Sequence, residues 1–561
     1  MRRPSPIPPV VAVVLAFLAT LPVYAHSPST RTSCGALRPV IEADSANARV
    51  CQWIEAGELS DLRWPNFTAY REQVREFYAP SFALVWTSHG APRAQAQALI
   101  QELQRAEEKG LEPDDYDASR WTERLARVSS TAPVSSEELA RFDLALTVSA
   151  LRYVSHLHHG RLNPTEFQSG LKQTAFDAAG FLRRKVVGAA DVAGALAQIE
   201  PARPEYQRAL KALHDYLLLA RGGESDPIPR GDQDVWPDSA YAGVMQIAAK
   251  LRRTGDLPAG AKIAHSDIYE EPLVSAMKHF EGRNGIEPDG ILGPDTYHEL
   301  DITFAQRAMQ LKLALERWRW MPAELGARFI LVNIPEFGLH AYDNGRQTLT
   351  MKVVVGEAGK QTPEFADRIE SLVFRPYWRL PLHVQKNEVL PDLRKDPQYL
   401  AKNHMEVVNS AGHIIPTATL TPAVLQQLDS GKLAIRQQPG DGNALGLIKF
   451  VFPSSEGIYL HGTSEKNLFS SYRRDYSHGC VRVEHPTALA SWVLRNPRWT
   501  PARVDDAMIG DQSFTVRLGS PVPVFIVYDT AVVEENGDVH FFDDIYGQDA
   551  ALEKALATAH P

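Results

Sequence analysis

The chain has 561 residues, of which 44% are hydrophobic, 9% aromatic and 23% charged, with 36 Gly and 39 Pro. That length exceeds what one hydrophobic core supports, which excludes a single small module, and the ordinary composition excludes a fibrous, low-complexity or wholly disordered chain. With 59 Lys and Arg against 68 Asp and Glu the formal charge is −9, so no net positive field exists to hold nucleic acid, and no nucleic-acid partner is expected.

At the amino terminus Arg2 and Arg3 precede an apolar stretch from Val10 to Val23 that closes on Val23-Tyr24-Ala25, the order of a secretory signal cleaved after Ala25. The expectation is an exported protein that touches a membrane only through residues 1–25, and only if they are not cleaved. No later segment offers about 18 uncharged apolar residues. Cys34 and Cys51 lie close together near the mature start, and an oxidising compartment would let them pair. Cys480 is then the odd thiol, either buried and inert or kept for its reactivity.

Apolar residues next recur at helical spacing, as in Ala96, Leu99, Ile100, Leu103 and Ala106, and again in Leu144, Val148, Leu151, Val154 and Leu157 before the break at Gly160 to Pro164. Residues 26–235 therefore read as a helical scaffold domain. In residues 236–303, helix-like runs at Val244 to Leu251 and Leu273 to Phe280 flank a turn-rich connector, and Asp295-Thr296 begins a third helix. Ala276, Phe280, Asp289-Gly290, Gly293, Thr296 and Leu300 resemble the peptidoglycan-binding domain type 1, a small three-helix module. That family usually carries Phe-Gln where this chain has Phe280-Glu281. Residues 304–325 read as a connecting helix that returns to the scaffold.

At Arg328 the apolar period changes from helical to alternating. Phe329 to Val332 and Leu339 to Tyr342 lead through Asp343-Asn344-Gly345, a hairpin turn, into Leu349, Met351, Val353 and Val355. A mostly β domain is expected over residues 326–532. Its strand signal lapses at about 380–440 into Pro-punctuated, helix-compatible sequence, read as an inserted lid-like lobe. Val522 to Tyr528 supplies another apolar strand and Glu535 to Asp538 a turn, so the tail from Val516 to Tyr546 is expected to complete the β domain, with residues 533–561 as a C-terminal extension. The fold class is thus multidomain α+β.

Chemistry concentrates between Tyr459 and Arg482. A thiol with an ordinary pKa near 8.5 is mostly protonated at neutral pH, so a nucleophilic Cys480 needs a neighbouring base or cation. His478 stands two residues away, whereas His461 ends an apolar strand and can approach from an adjacent one; His461 is the favoured base. His461, His478 and Cys480 also compose an N and S donor set that suits zinc, an alternative in which chelators would abolish activity. Arg482 and Arg473 are the cations best suited to grip a substrate carboxylate. Trp378, next to Tyr377, and the inserted lobe are candidates to cover the bound substrate.

His461, fifteen intervening residues (462–476), then Ser477-His478-Gly479-Cys480-Val481-Arg482 resembles the signature of the L,D-transpeptidase (YkuD-type) catalytic domain. Together with the run from Pro439 to Phe450, the helical region and the small module, nearly the whole mature chain is similar to the large, multidomain YcbB-like branch. That resemblance implies a cysteine enzyme without a cofactor, located in the periplasm and associated with the cell wall, that acts on peptidoglycan stem peptides beside other wall-synthesis enzymes. Cys480 would form a thioester at diaminopimelate of a tetrapeptide, releasing D-alanine and building 3-3 cross-links. His461 would move the proton, the Gly462 carbonyl would orient its imidazole, and N–H groups around His478, Gly479 and Cys480 would hold the oxyanion, with Tyr459 assisting and Ser477 on the substrate side. Close relatives often carry Asp where this chain has Gly462. An L,D-carboxypeptidase, an enzyme that detaches wall-linked proteins, and a non-catalytic wall-binding scaffold are the alternatives.

Overall fold

A computed structural model describes residues 45–130, 133–167, 169–171, 173–231, 233–416, 420–453, 457–510 and 512–561. The signal segment and Cys34 lie outside the described residues, while Cys51, buried in the helix Ala46–Ala56, is disulfide-bonded. Helix α1 (Ser136–His159) is the axis of the scaffold: it is buried nearly all round, with Leu144, Val148, Leu151, Val154 and Leu157 fully enclosed. Gly160, at φ 81°, ends it, as a helix stop requires. A carboxylate survives in this core because it is fully hydrogen-bonded: Asp143 accepts the Val85 and Trp86 N–H groups at 3.0 and 2.8 Å and the Tyr78 hydroxyl at 2.8 Å.

Helix α2 (Pro204–Arg221) leads into the small module, where α3 (Val244–Thr254), α4 (Leu273–Arg283) and α5 (Pro294–Asp301) close around Ile247, Leu251, Met277, Phe280 and Leu292. Glu281 is fully buried, accepting the Gly290 N–H at 2.8 Å and the Thr296 hydroxyl at 3.0 Å. It therefore pins the connector turn to the start of α5, and burial pushes its carboxyl up to about 7. Helix α6 (Phe304–Trp320) starts at a Thr303–Gln306 capping box and packs along α2. The Ala531–Val533 and Val539–Phe541 hairpin also packs on α2 and α6, so this part of the tail caps the helices instead of extending the β domain.

The β domain is one sheet rolled on itself. Its strands are β1 (Arg328–Asn333), β2 (Gly338–Asp343), β3 (Arg346–Gly356), β4 (Phe365–Phe374), β5 (Ile448–Val451), β6 (Leu460–His461), β7 (Asp475–Ser477), β8 (Val481–Val483) and β9 (Phe514–Val527). The order is β7-β3-β8-β6-β5-β4-β9-β1-β2, and a β2–β3 pairing closes the ring. Alternation sends Ile330, Val353, Leu372, Phe450, Leu460, Val481 and Val524 into one core.

Between β4 and β5 the chain leaves the barrel as a lobe. Helix-compatible sequence was expected there, yet four short strands also form a separate sheet, ordered Ile414–Ile415, Met405–Val408, Ala434–Gln437 and Trp378–Arg379. Strands this short carry too little alternation to register in the sequence. Buried Gln385 ties lobe helix to sheet: its amide donates to the Leu428 and Leu433 carbonyls and accepts the Ile435 N–H.

Candidate active site

Three neighbouring strands set the geometry. β5 and β6 run antiparallel with Lys449 opposite His461, and β6 and β8 run parallel with His461 opposite Arg482. Paired residues share a face, so Lys449, His461 and Arg482 stand together on the side away from the Phe450, Leu460 and Val481 core. Cys480 immediately precedes β8 and Tyr459 immediately precedes β6, with the Val481 N–H bonded to the Tyr459 carbonyl at 3.0 Å. Both continue the same face.

His461 is buried, and its Nδ1 lies 2.5 Å from the Gly462 carbonyl oxygen. A carbonyl only accepts, so Nδ1 carries the proton and Nε2 is left as the basic nitrogen. Burial, with Arg482 and Lys449 nearby, drives the imidazole down to about 3, so it is neutral at physiological pH. Cys480 is partly exposed, and its Sγ lies 3.7 Å from the Gly457 carbonyl. Burial raises the thiol, against the downward pull of the Tyr459 backbone N–H, Lys449 and Arg482. The resting pair is thus a neutral thiol and a neutral imidazole.

The loop before the sulfur is held from below. Ser477 Oγ donates to the Cys480 carbonyl at 2.5 Å and accepts the Gly479 N–H at 3.1 Å. Gly479 sits at φ 105°, a conformation that favours glycine, and a Cβ there would make a tight 3.3 Å contact with the Gln361 carbonyl oxygen. Its carbonyl accepts the Thr362 hydroxyl at 2.8 Å. Thr362 in turn accepts the Gly356 N–H at 2.9 Å and donates its own N–H to the Tyr546 hydroxyl at 3.2 Å.

Several expected residues lie elsewhere. The Gly479 N–H, expected at the oxyanion, is spent on Ser477. His478 is exposed and turns to Glu388 of the lobe at 2.8 Å. Among the described residues no group of three or more His, Cys, Asp or Glu is arranged to hold a metal ion, so the triplet weighed for zinc is not gathered. Arg473 forks both nitrogens onto Asp475 at 2.8 and 3.0 Å and is thereby occupied. Trp378 packs into the lobe core, and its exposed neighbour Tyr377 carries the Arg436 guanidinium 4.2 Å from its ring centroid. Arg482 stays at the site, paired with Glu465. A cavity of about 1080 Å³ opens beside Gly462, walled by Leu447, Thr463, Glu484, His485 and Ser491.

Lys449, Thr362, Tyr546 and Glu388 were not singled out as functional from the sequence. For Lys449 a signal existed: it is a lone cation inside the apolar run Ile448 to Val451, and it alternates with a core phenylalanine. Glu388, Thr362 and Tyr546 sit in segments with no local pattern.

Three stretches match family models: residues 72–213 the Scaffold domain, residues 241–300 the "Putative peptidoglycan binding domain", and residues 327–524 the L,D-transpeptidase catalytic domain, YkuD. A curated relative from Haemophilus influenzae, named "Putative L,D-transpeptidase", is 34% identical over 227 residues, which are 40% of this chain and 45% of that protein. The chain thus spans under half the length of that relative. Among solved structures, Mycobacterium tuberculosis L,D-transpeptidase 1 shows 14% identity over 36% of this chain and 61% of that one, with a TM-score of 0.14. The L,D-transpeptidase (Yku) of Stackebrandtia nassauensis shows 13% identity over 50% and 89%, with a TM-score of 0.20. Both scores are too low to bear on the fold.

Proposed function

From the premise that residues 327–524 are an L,D-transpeptidase catalytic domain, joined to a peptidoglycan-binding module, we propose that the protein cross-links peptidoglycan stems through a thioester on Cys480. The observation that carries this reading is the shared strand face of Cys480 and His461, with Nε2 of the imidazole left free to take a proton. The Cys480 S–H proton passes to Nε2 while sulfur bonds to the carbonyl carbon at the L-centre of diaminopimelate. The tetrahedral oxyanion collapses, the C–N bond to D-alanine breaks, and the departing amine takes the proton from His461. A second stem's amine then attacks the thioester, gives its proton to His461 and frees the thiol, leaving a 3-3 cross-link. Arg482 would meet a stem carboxylate by exchanging Glu465 for it, a role its present ion pair supports.

The disulfide-bonded state of Cys51 supports a compartment outside the cytoplasm, where the wall lies. No helix among the described residues is long and apolar enough to cross a membrane. The test is incubation of the purified chain with disaccharide-tetrapeptides, followed by mass spectrometry of the products. A dimer lacking one D-alanine, together with a Cys480 adduct, supports the reading. Tripeptide monomers alone would make the enzyme a carboxypeptidase, and the absence of both products and adduct would leave a binding scaffold.

A further inference from the structure

Lys449 is an ammonium beside the reactive sulfur that the reaction above does not employ. It lies inside β5, flanked by buried Ile448 and Phe450, and its backbone is directly opposite His461. Its Nζ stands 3.3 Å from the ring centroid of Tyr459, the lateral neighbour of Cys480. The side chain is half-buried with its Nζ still reaching solvent, and among the described residues its contact is the Tyr459 ring, with no carboxylate within ion-pair distance. More deeply buried cations in the chain are paired. Arg283 grips Asp256, Arg317 grips Asp549, Arg307 grips Glu299, and Lys250 donates to the Leu300 and Ile302 carbonyls. Partial burial strips some of the water from this ammonium and lowers it, and an anion formed at this spot would restore that stabilisation.

The remaining charges leave one place for that anion. Arg482 is already matched by Glu465, and His461 stays uncharged at neutral pH. The reaction creates negative charge first on sulfur and then on the substrate oxygen attached to the carbon that sulfur attacks.

We propose that Lys449 is the charge-compensating residue of this site: its ammonium stabilises the Cys480 thiolate and the oxyanion that follows, while the thiol proton goes to His461. The inference rests on the thiol reading given above. The imidazolium formed by that transfer is desolvated and disfavoured, so the lysine is the second positive charge that steadies the anion. Burial lowers Lys449 while the Cys480 charge raises it, and reciprocally Lys449 pulls the thiol down against burial. Stacking on Tyr459 holds the ammonium in place without neutralising it.

The test is the pH dependence of Cys480 alkylation by iodoacetamide, read by mass spectrometry on the full chain. An opposite charge at this range moves a pKa by roughly one unit or more. The midpoint for K449M should therefore rise by about one unit, slowing alkylation at pH 7 about tenfold, whereas K449R should keep the wild-type midpoint. An unshifted K449M beside a normally alkylated wild type overturns the lysine assignment alone. A wild type that alkylates at no pH overturns the thiol reading beneath it. A second measurement needs no Lys449 variant: in C480A, the Lys449 titration followed by NMR of labelled lysine should fall relative to wild type, and an unchanged midpoint refutes the proposal.

Discussion

Exchanging Thr362 for valine removes one hydroxyl from beneath the Cys480 loop and leaves the side-chain shape intact. Thr362 is 0% exposed, and that hydroxyl satisfies two buried backbone groups, the Gly479 carbonyl at 2.8 Å and the Gly356 N–H at 2.9 Å. No neighbour can substitute, because the Tyr546 hydroxyl already donates to the Gly356 carbonyl at 2.5 Å. Each orphaned group costs about 1–3 kcal/mol, and valine opens no cavity, so losing both in T362V should destabilise the barrel by about 2–6 kcal/mol. T362S keeps the hydroxyl, loses one methyl and should cost about 1 kcal/mol. Native-state hydrogen exchange at the Gly356 amide reads the difference directly: protection should fall about 30-fold or more in T362V and much less in T362S. The acylation rate of Cys480 should fall in the same order, since the Gly479 φ of 105° is held by that carbonyl contact. Equal protection and equal acylation in T362V and wild type would refute the idea that this hydroxyl shapes the loop.

Replacing Cys480 with alanine should abolish the acyl adduct and turnover while leaving the circular dichroism spectrum unchanged; residual turnover would sink the thioester route. H461Q should slow acylation about 10²–10⁴-fold. Because the wild-type imidazole is held down to about 3, the pH profile of acylation should show no inflection near 6.5, and one there would contradict the buried neutral histidine. R482A should raise the KM for a tetrapeptide donor about tenfold, and R473A less than twofold, since Arg473 is committed to Asp475. For Glu281 the folded pKa of about 7 lies above the unfolded value, so the folded module binds extra protons between the two and loses stability as pH rises through that window. Glutamine can accept the Gly290 N–H with its oxygen and donate to Thr296, so E281Q should flatten that pH dependence in thermal melts between pH 5 and 8.

Local pattern made the helices and the first hairpin legible. Helical spacing marked α1, and the turn at Asn344-Gly345 marked β2 and β3, because both depend on residues adjacent in sequence. The helix Phe304–Trp320 falls within the connecting helix expected over residues 304–325. Glu281 appeared only as a departure from a familiar dipeptide, and its buried bonds to Gly290 and Thr296 explain how a carboxylate does that work. The lobe's sheet escaped notice because strands of two to four residues have no period to detect.

The site divides along the same physical line. Cys480 and His461 could be named because each stands in a dense cluster of reactive and turn-forming residues. Lys449 needed strand neighbours as well: alternation places it opposite Phe450, but only the β5–β6 register places it across from His461. Thr362 and Tyr546 are further removed, lying 117 residues from Gly479 and 190 residues from Gly356, with their partnerships made by barrel closure. Hydrogen bonds between buried backbone groups and distant hydroxyls leave no compositional trace, since any threonine or tyrosine could supply them. Cys480 and His461 are therefore local features, whereas the cation beside them and the hydroxyls that fix the Cys480 loop are set by the closed sheet. A substitution that leaves Cys480 and His461 untouched but shifts the β5–β6 register by one residue would turn Lys449 and His461 toward opposite faces and disable the site as thoroughly as removing the sulfur.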